Sequence, residues 1–386
     1  MKASDPQPSA EAQLRSAAPY ALVATARRLL ADRTGAQEVV LLLADYGLDV
    51  LQPVTHLPHT GPPVSAHEGP PGSAFFTQKP VLEVLHDPAG NLVHLPITVR
   101  GDRLGVLSVR LPAGAVDPHT VLQLGDFATA LGHEVTTADR DTDLYLQARR
   151  TRRLTLAAEM QWQLLPGRGC AREEYVIGAH LEPAYSIGGD TFDWSTGADH
   201  LFLSVTDGMG QGIDASLLAG LTTGALRNAR RADISLADQA VYSQYGGKAY
   251  AATLLLRFEL ATGIVQAVDA GSPQLFQQRG GRTERVELEA QMPLGMFEET
   301  LYTEQTFQVE PGDRLIAVSS GVHGTRSATG DLFGERVLRQ VLSATRSAAP
   351  HEAARAVVAG LIEHYGSKEL LSDAAVVCLD WHGRQG

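Results

Sequence analysis

Two aspartates beside glycines are the first residues in this chain whose types and spacing could do chemistry. They lie within residues 187–212, IGGDTFDWSTGADHLFLSVTDGMGQG, at Gly188-Gly189-Asp190 and at Asp207-Gly208-Met209-Gly210. Between them Leu201, Leu203 and Val205 alternate with Phe202, Ser204 and Thr206. The stretch therefore reads as strand, turn, strand, turn, with a carboxylate at the end of each strand. Carboxylates at neighbouring strand ends, beside glycines that let backbone oxygens approach, suit a hard cation such as Mg²⁺ or Mn²⁺. Either turn alone is an ordinary glycine turn, and only the pair points to an ion.

Holding such a site requires buried cores. The 386 residues, 44% hydrophobic, exceed one ordinary domain, so two are expected. A formal net charge of -12 excludes a general binder of nucleic-acid backbones, which needs clustered Lys and Arg. No glycine-rich phosphate loop precedes a helix either. Cys170 and Cys378 are too few for a disulfide framework or a cysteine-based zinc site and are expected to be reduced and structural. The opening MKASDPQPSAEAQ has no apolar core of signal-peptide length, and no later run reaches membrane-spanning length. A soluble, cytoplasmic chain with no membrane partner is the expectation.

Residues 10–30 have helical spacing, with Leu14, Ala17, Ala21, Ala24 and Leu29 on an apolar side and Arg27 and Arg28 facing out. Residues 38–44, EVVLLLA, form a short branched apolar run, as a buried strand does, and 48–54 return as its hairpin partner. Pro, Gly and His crowd 56–73, a surface loop, and a short helix starts within 74–77. After 80–84, strands 92–99 and 103–110 flank the tight turn Gly101-Asp102. His56, His59, His67, His86 and His94 match no ligand spacing and read as surface-loop histidines. This order of elements, closing on Asp102-Arg103-Leu104-Gly105-Val106-Leu107, resembles a GAF sensory domain, an α/β module spanning 10–116. The resemblance implies a small-molecule ligand near the 56–73 loop, or a dimerisation role.

Residues 117–165 read as a helical connector. Val121, Leu124, Ala128, Leu131, Val135 and Ala138 have the spacing of a coiled-coil seam. The seam decays through Thr142 and Tyr145, and a second stripe of Leu154, Ala157, Gln161 and Leu164 takes over. A stripe that changes face needs a partner on each side, so pairing with a second copy of the chain and docking onto the C-terminal domain are expected. For the first half, a helix that packs on its own domain is the alternative. A signal in residues 10–112 would then reach the acidic turns through helix pairing between 121 and 165.

The segment Ala158-Glu159-Met160-Gln161-Trp162-Gln163-Leu164-Leu165-Pro166 precedes both acidic turns and the small-residue helix 215–226. Beyond them come Ala252-Thr253-Leu254-Leu255, Thr262-Gly263, Asp269-Ala270-Gly271-Ser272-Pro273, Pro293-Leu294-Gly295 and Pro311-Gly312-Asp313. Gly330, Phe333-Gly334 and Ser372-Asp373-Ala374-Ala375-Val376-Val377 complete the series. In order and spacing over 155–382 this resembles the PPM-type phosphatases, the protein phosphatase 2C superfamily. It is most similar to the bacterial branch named for stage II sporulation, which contains regulators of stress and sporulation sigma factors. The resemblance implies an α+β chain whose residues 166–386 form two packed antiparallel sheets flanked by helices, with a metal site at the sandwich edge. The residues agree by their own pattern, with strands at 175–181, 200–205, 252–259, 263–269, 274–278, 315–318 and 374–379 and helices at 215–231 and 351–365. The implied chemistry is hydrolysis of a phosphoserine or phosphothreonine ester by a water held between two divalent ions, with no covalent intermediate. Asp190 would bind a metal or orient its water, Asp207 would bridge the ions, and the Gly208 carbonyl would complete a shell. The implied partner is a phosphorylated regulator of the STAS-type anti-sigma-factor antagonist kind.

The chain departs from that pattern at two acidic positions. Ser320, in Ser319-Ser320-Gly321-Val322, stands where the family has a metal-binding aspartate. Ser372 replaces the ligand, and Ala375 the threonine, of an Asp-Asp-x-Thr step. Asp373 is adjacent, but alternation on an extended strand would turn it away unless a bulge intervened. His323 and Asp313 are near the third position in sequence only, and Asp313 reads as a turn residue. Ser272 stands at a family His and Asp269 at its Asn, while Asp193, a family acid, reads as exposed near a turn. One ion on Asp190, Asp207 and Gly208 is therefore expected rather than two. Two readings follow: a sensor-controlled serine/threonine phosphatase, weak or dependent on high Mn²⁺, or a pseudophosphatase that binds the same kind of partner without hydrolysis.

Overall fold

The computed structural model describes residues 9–85, 90–151, 155–184, 188–230, 235–334, 336–367 and 369–384. His86, Leu154 and Ile187 lie outside them, as does Arg231 at the end of the expected helix 215–231. The chain divides into two compact units, Met1–Arg153 and Leu154–Gly386.

In the first unit Pro19 splits the helix expected over 10–30 into α1 (Ala10–Ser16) and α2 (Leu22–Thr34). Proline pushes the preceding residue out of the helical region, and Ala18 is extended. Arg27 does not face out: its guanidinium donates to the carbonyls of Val39, Val54 and Thr55. These tie α2 to strands β1 (Glu38–Ala44) and β2 (Val50–His56). The expected 56–73 loop contains β3 (His59–Thr60) and β4 (Val64–Ser65), followed by α3 (Gly69–Thr77), whose first turn takes two prolines. Then come β5 (Val81–Val84), β6 (Asn91–Val99), β7 (Asp102–Leu111), α4 (Pro118–Ala138) and α5 (Leu144–Ala148). The antiparallel sheet runs β3-β2-β1-β7-β6-β5, with β4 paired to β2. His94 is not a loop residue: it is buried on β6, where Ser108 and Glu83 hold its two ring nitrogens.

The connector differs most from expectation. Leu124, Ala128, Leu131, Val135 and Ala138 are buried in the core of their own unit, with Leu95, Ile97 and Leu107. The seam expected to pair with a second copy is thus covered within one chain. A 3.5-residue spacing marks an apolar stripe without saying what covers it. Helix also does not continue to 165, because α4 ends at Ala138 and α6 (Leu156–Leu164) begins anew with the Thr155 hydroxyl as its cap.

The second unit continues with β8 (Gly169–Ala171), β9 (Tyr175–Glu182), β10 (Thr191–Thr196), β11 (His200–Gly208), α7 (Gly212–Ala229) and α8 (Ser235–Tyr245). After these come β12 (Ala251–Glu259), β13 (Ile264–Ala270), β14 (Gln274–Arg279), β15 (Arg282–Arg285), β16 (Gln305–Gln308) and β17 (Arg314–Val318). Last are α9 (Ser320–His323), α10 (Val337–Ala344), α11 (Pro350–Tyr365) and β18 (Ala374–Trp381). One sheet has the order β10-β11-β12-β13-β16 and the other β15-β14-β17-β18-β9-β8, all antiparallel. Leu203, Val205, Leu254, Leu256 and Phe258 of the first meet Ile177, Ala179, Ala317, Val377 and Leu379 of the second in one core. Helices α10 and α11 cover the outer face of the second sheet through Leu338, Leu342, Val357 and Leu361, while Leu226 and Ala229 of α7 pack on the first at Val268. This is an α+β sandwich flanked by helices, as expected. Cys170 and Cys378 are buried free thiols. Among the described residues no helix is long and apolar enough to cross a membrane.

Candidate active site

Strand register builds the acidic pair. Thr191 of β10 lies opposite Thr206 of β11. The preceding residue on one strand, Asp190, therefore meets the following residue on its antiparallel neighbour, Asp207, on the same face. Asp190 thus stands at the start of a strand, not at the end of one as expected. The backbones also touch there: Gly208 N–H donates to the Gly189 carbonyl at 3.1 Å. A Cβ on residue 189 would come within 2.8 Å of Gly208 Cα and 2.9 Å of Gly208 O, so glycine is required for this approach. Gly189→Ala should force the two turns apart, costing about 1–3 kcal/mol and weakening Mn²⁺ uptake. Gly224→Ala, on α7 with open space around it, should be neutral or slightly stabilising. Thermal melts and Mn²⁺ titrations of both variants check this.

Asp190 is buried, and its Oδ2 has no hydrogen-bond partner. Burial raises its pKa well above the ordinary carboxylate value, the Asp207 and Asp373 carboxylates push it further, and a hydrogen bond from Ser319 opposes the shift. Asp207 is half-buried, and its Oδ2 accepts the Ser272 hydroxyl at 2.7 Å. Ser272 belongs to a turn in which Asp269 Oδ1 accepts the Gly271 N–H at 3.0 Å.

The third and fourth acidic positions adjoin each other. Strands β17 and β18 pair Val318 with Val376, and Ser319 exchanges hydrogen bonds with the Ala375 backbone. The Gly321 backbone packs so closely on Asp373 and Ser372 that a Cβ there would lie 1.8 Å from the Asp373 carbonyl oxygen. Both positions bring neutral hydroxyls, on half-buried Ser320 and exposed Ser372.

Two readings of neighbouring residues need correction. Asp373 is not turned away: it precedes β18, so strand alternation does not govern it, and its carboxylate lies within electrostatic reach of Asp190. It is already engaged, however, by the N–H groups of Ala184, Gly188 and Asp190 and by Gln161. His323 is close in space as well as in sequence. It sits one helical turn after Ser320 on α9, and its Nε2 donates to the Ser272 carbonyl at 3.0 Å. Burial lowers its pKa, against the pull of that carbonyl and of Asp207.

Other acids are structural. Asp193 is buried rather than exposed and takes Arg227 on both oxygens at 3.1 Å, with Arg230 also bonded to it. Asp313, at the opposite end of β17 from Ser319, is held by Arg279, Gln277 and the Glu310 N–H. Gln161 and Ser319 are site residues to which sequence reasoning gave no role, while His323 and Asp373 were weighed there and set aside. Gln161 had left a sign, as the polar member of an otherwise apolar stripe.

Among the described residues no three His, Cys, Asp or Glu side chains converge as a metal site. What the geometry offers is one carboxylate pair with a buried, unpartnered oxygen. That donor set suits a single hard cation that keeps most of its waters.

Residues 197–382 match the family model described as stage II sporulation protein E (SpoIIE). Protein IcfG of Synechocystis sp. is 24% identical over 224 residues, which are 49% of this chain. The match spans 35% of that relative's length. Among solved structures, the SiaA-PP2C domain of Pseudomonas aeruginosa superposes with a TM-score of 0.48 at 20% identity, over 53% of this chain and 85% of that one. The PP2C phosphatase domain of SpoIIE from Bacillus subtilis, with a fragment of its regulatory domain, gives 0.46 at 21% identity, over 55% and 64%.

Proposed function

We propose that the chain, whose residues 197–382 match the stage II sporulation protein E family model, is a metal-dependent protein serine/threonine phosphatase of low turnover. The observation that carries this reading is the meeting of Asp190 with Asp207 around the buried, unpartnered Oδ2 of Asp190. Asp190, Asp207 and the Gly208 carbonyl would hold one Mg²⁺ or Mn²⁺. When bound, such an ion neutralises phosphoryl oxygens and lowers the pKa of a coordinated water. The chain's own residues aim the donors: Ser272 fixes the Asp207 carboxylate, His323 fixes the Ser272 carbonyl, and Ser319 hydrogen-bonds Asp190. A second ion would find neutral Ser320 and Ser372 where the family pattern has anions, which is why low turnover is proposed. The substrate is a phosphoserine or phosphothreonine protein, of the anti-sigma-factor antagonist type by family. The six-strand path of antiparallel sheet in residues 1–153 supports a GAF-like sensory module there.

A pseudophosphatase is the second reading, favoured by the engagement of Asp373, whose carboxylate is committed to backbone N–H groups and Gln161. Turnover of a phosphoserine peptide by the full chain in millimolar Mn²⁺, compared with Asp207→Ala, separates the two. The phosphatase reading expects metal-dependent turnover that Asp207→Ala abolishes. Equal, background-level rates would leave the binding module.

A further inference from the structure

The amide of Gln161 reaches the acidic turn from helix α6. Its side chain is fully buried, and Nε2 donates to the carbonyls of Gly188 at 3.0 Å and Asp190 at 3.1 Å, and to Asp373 Oδ2 at 2.5 Å. Asp373 in turn accepts the N–H groups of Gly188 and Asp190. The turn carrying Asp190 is therefore gripped along both edges of its backbone, carbonyls by Gln161 and N–H groups by Asp373, and the two gripping side chains are bonded to each other.

We propose that Gln161 is a positioning residue whose amide aims Asp190 at Asp207 and thereby sets the divalent-cation affinity of the pair. The cation part rests on the phosphatase-type reading above; the positioning part does not. The residue type argues for the role. The two N–H bonds of one amide, one of them shared between two acceptors, serve three oxygens without adding charge beside Asp190, Asp207 and Asp373. Glutamate there would add a fourth carboxylate, and an apolar side chain would strip donors from three buried acceptors. Lysine or arginine would neutralise the acids and compete with a cation. Helix geometry makes the contact sensitive to register, because one residue of slippage moves a side chain 1.5 Å along the axis and turns it about 100° around it. The rest of α6 packs on α7 through other groups, with Ser216 Oγ donating to the Ala157 carbonyl at 3.3 Å.

The test uses the full chain with Gln161→Met, which keeps volume and helix propensity but removes the amide. Ser216→Ala is the control, since it removes a buried hydrogen bond between α6 and α7 that does not touch the acids. Hydrogen exchange at the amides of residues 188–190, in metal-free protein, should rise about tenfold in Gln161→Met and stay unchanged in Ser216→Ala. Mn²⁺ affinity should fall by about the same factor in the first variant only. Gln161→Leu, close in volume and unable to donate at any pH, should lose the same protection, and it serves if the methionine variant fails to fold. Unchanged exchange at 188–190 in both Gln161 variants, or an equal rise in Ser216→Ala, would overturn the proposal. If the natural chain takes up no more Mn²⁺ than Asp207→Ala, the metal reading fails while the exchange data still decide the role of Gln161.

Discussion

Placing an aspartate at both serine positions in one chain, Ser320→Asp with Ser372→Asp, is expected to raise Mn²⁺-dependent hydrolysis of a phosphoserine peptide by roughly two to four orders of magnitude. Ser320 opens α9 directly after β17, Ser372 lies just before β18, and the Gly321 backbone packs against Asp373 and the Ser372 Cβ. Two new carboxylates would therefore enter one neighbourhood, beside Asp190, rather than two separate surfaces. Completing a second cation site adds transition-state charge stabilisation of several kcal/mol, and each 1.4 kcal/mol or so is a factor of ten in rate. The same variant should be less stable than the natural chain without metal, because two further carboxylates then join Asp190, Asp207 and Asp373, and should gain more from added Mn²⁺. Steady-state kinetics and melts in chelator and in Mn²⁺ check both halves. A double variant as slow as Asp207→Ala would mean that these positions do not complete a cation site.

Asp190→Asn should stabilise the metal-free chain at about pH 8. Burial, Asp207 and Asp373 raise the Asp190 pKa above the ordinary aspartate value of 3.8, so the folded chain holds that proton to higher pH than the unfolded one. Its contribution is undiminished below 3.8, and stability falls as pH climbs from there through the raised folded-state value. Asparagine carries no charge and removes this slope. The gain should be on the order of 1–3 kcal/mol at alkaline pH, or about 2–4 °C of Tm per kcal/mol for a unit of this size. The natural chain and the variant should converge near pH 3.5. Added Mn²⁺ should raise the Tm of the natural chain and leave Asp190→Asn unmoved. Calorimetry across this pH range decides it, and an Asp190→Asn chain that melts lower in chelator at pH 8 would contradict a strained, buried carboxylate.

Much of the fold could be read directly from the chain. The run 38–44 is strand β1 to the residue, and every strand expected in the C-terminal half is present within a few residues at its ends. The serines at 320 and 372 are facts of sequence, as is the closeness of Asp190 and Asp207 along the chain. Alternation and helical spacing are set by neighbouring residues, which is why they were legible. Tertiary structure decided the rest. It covered the α4 seam within its own unit, because a stripe names a face and not its partner. It placed Asp190 at a strand start opposite Asp207, by a register that the residues between them do not dictate. It turned Gln161 from one position in a stripe into the grip on the acidic turn, through a bond to Asp373 that spans 212 residues. Residue types and local periods determined which acids the site has, and contacts between distant segments determined which of them meet, because a side chain's partner depends on where the backbone brings it rather than on its neighbours in the chain.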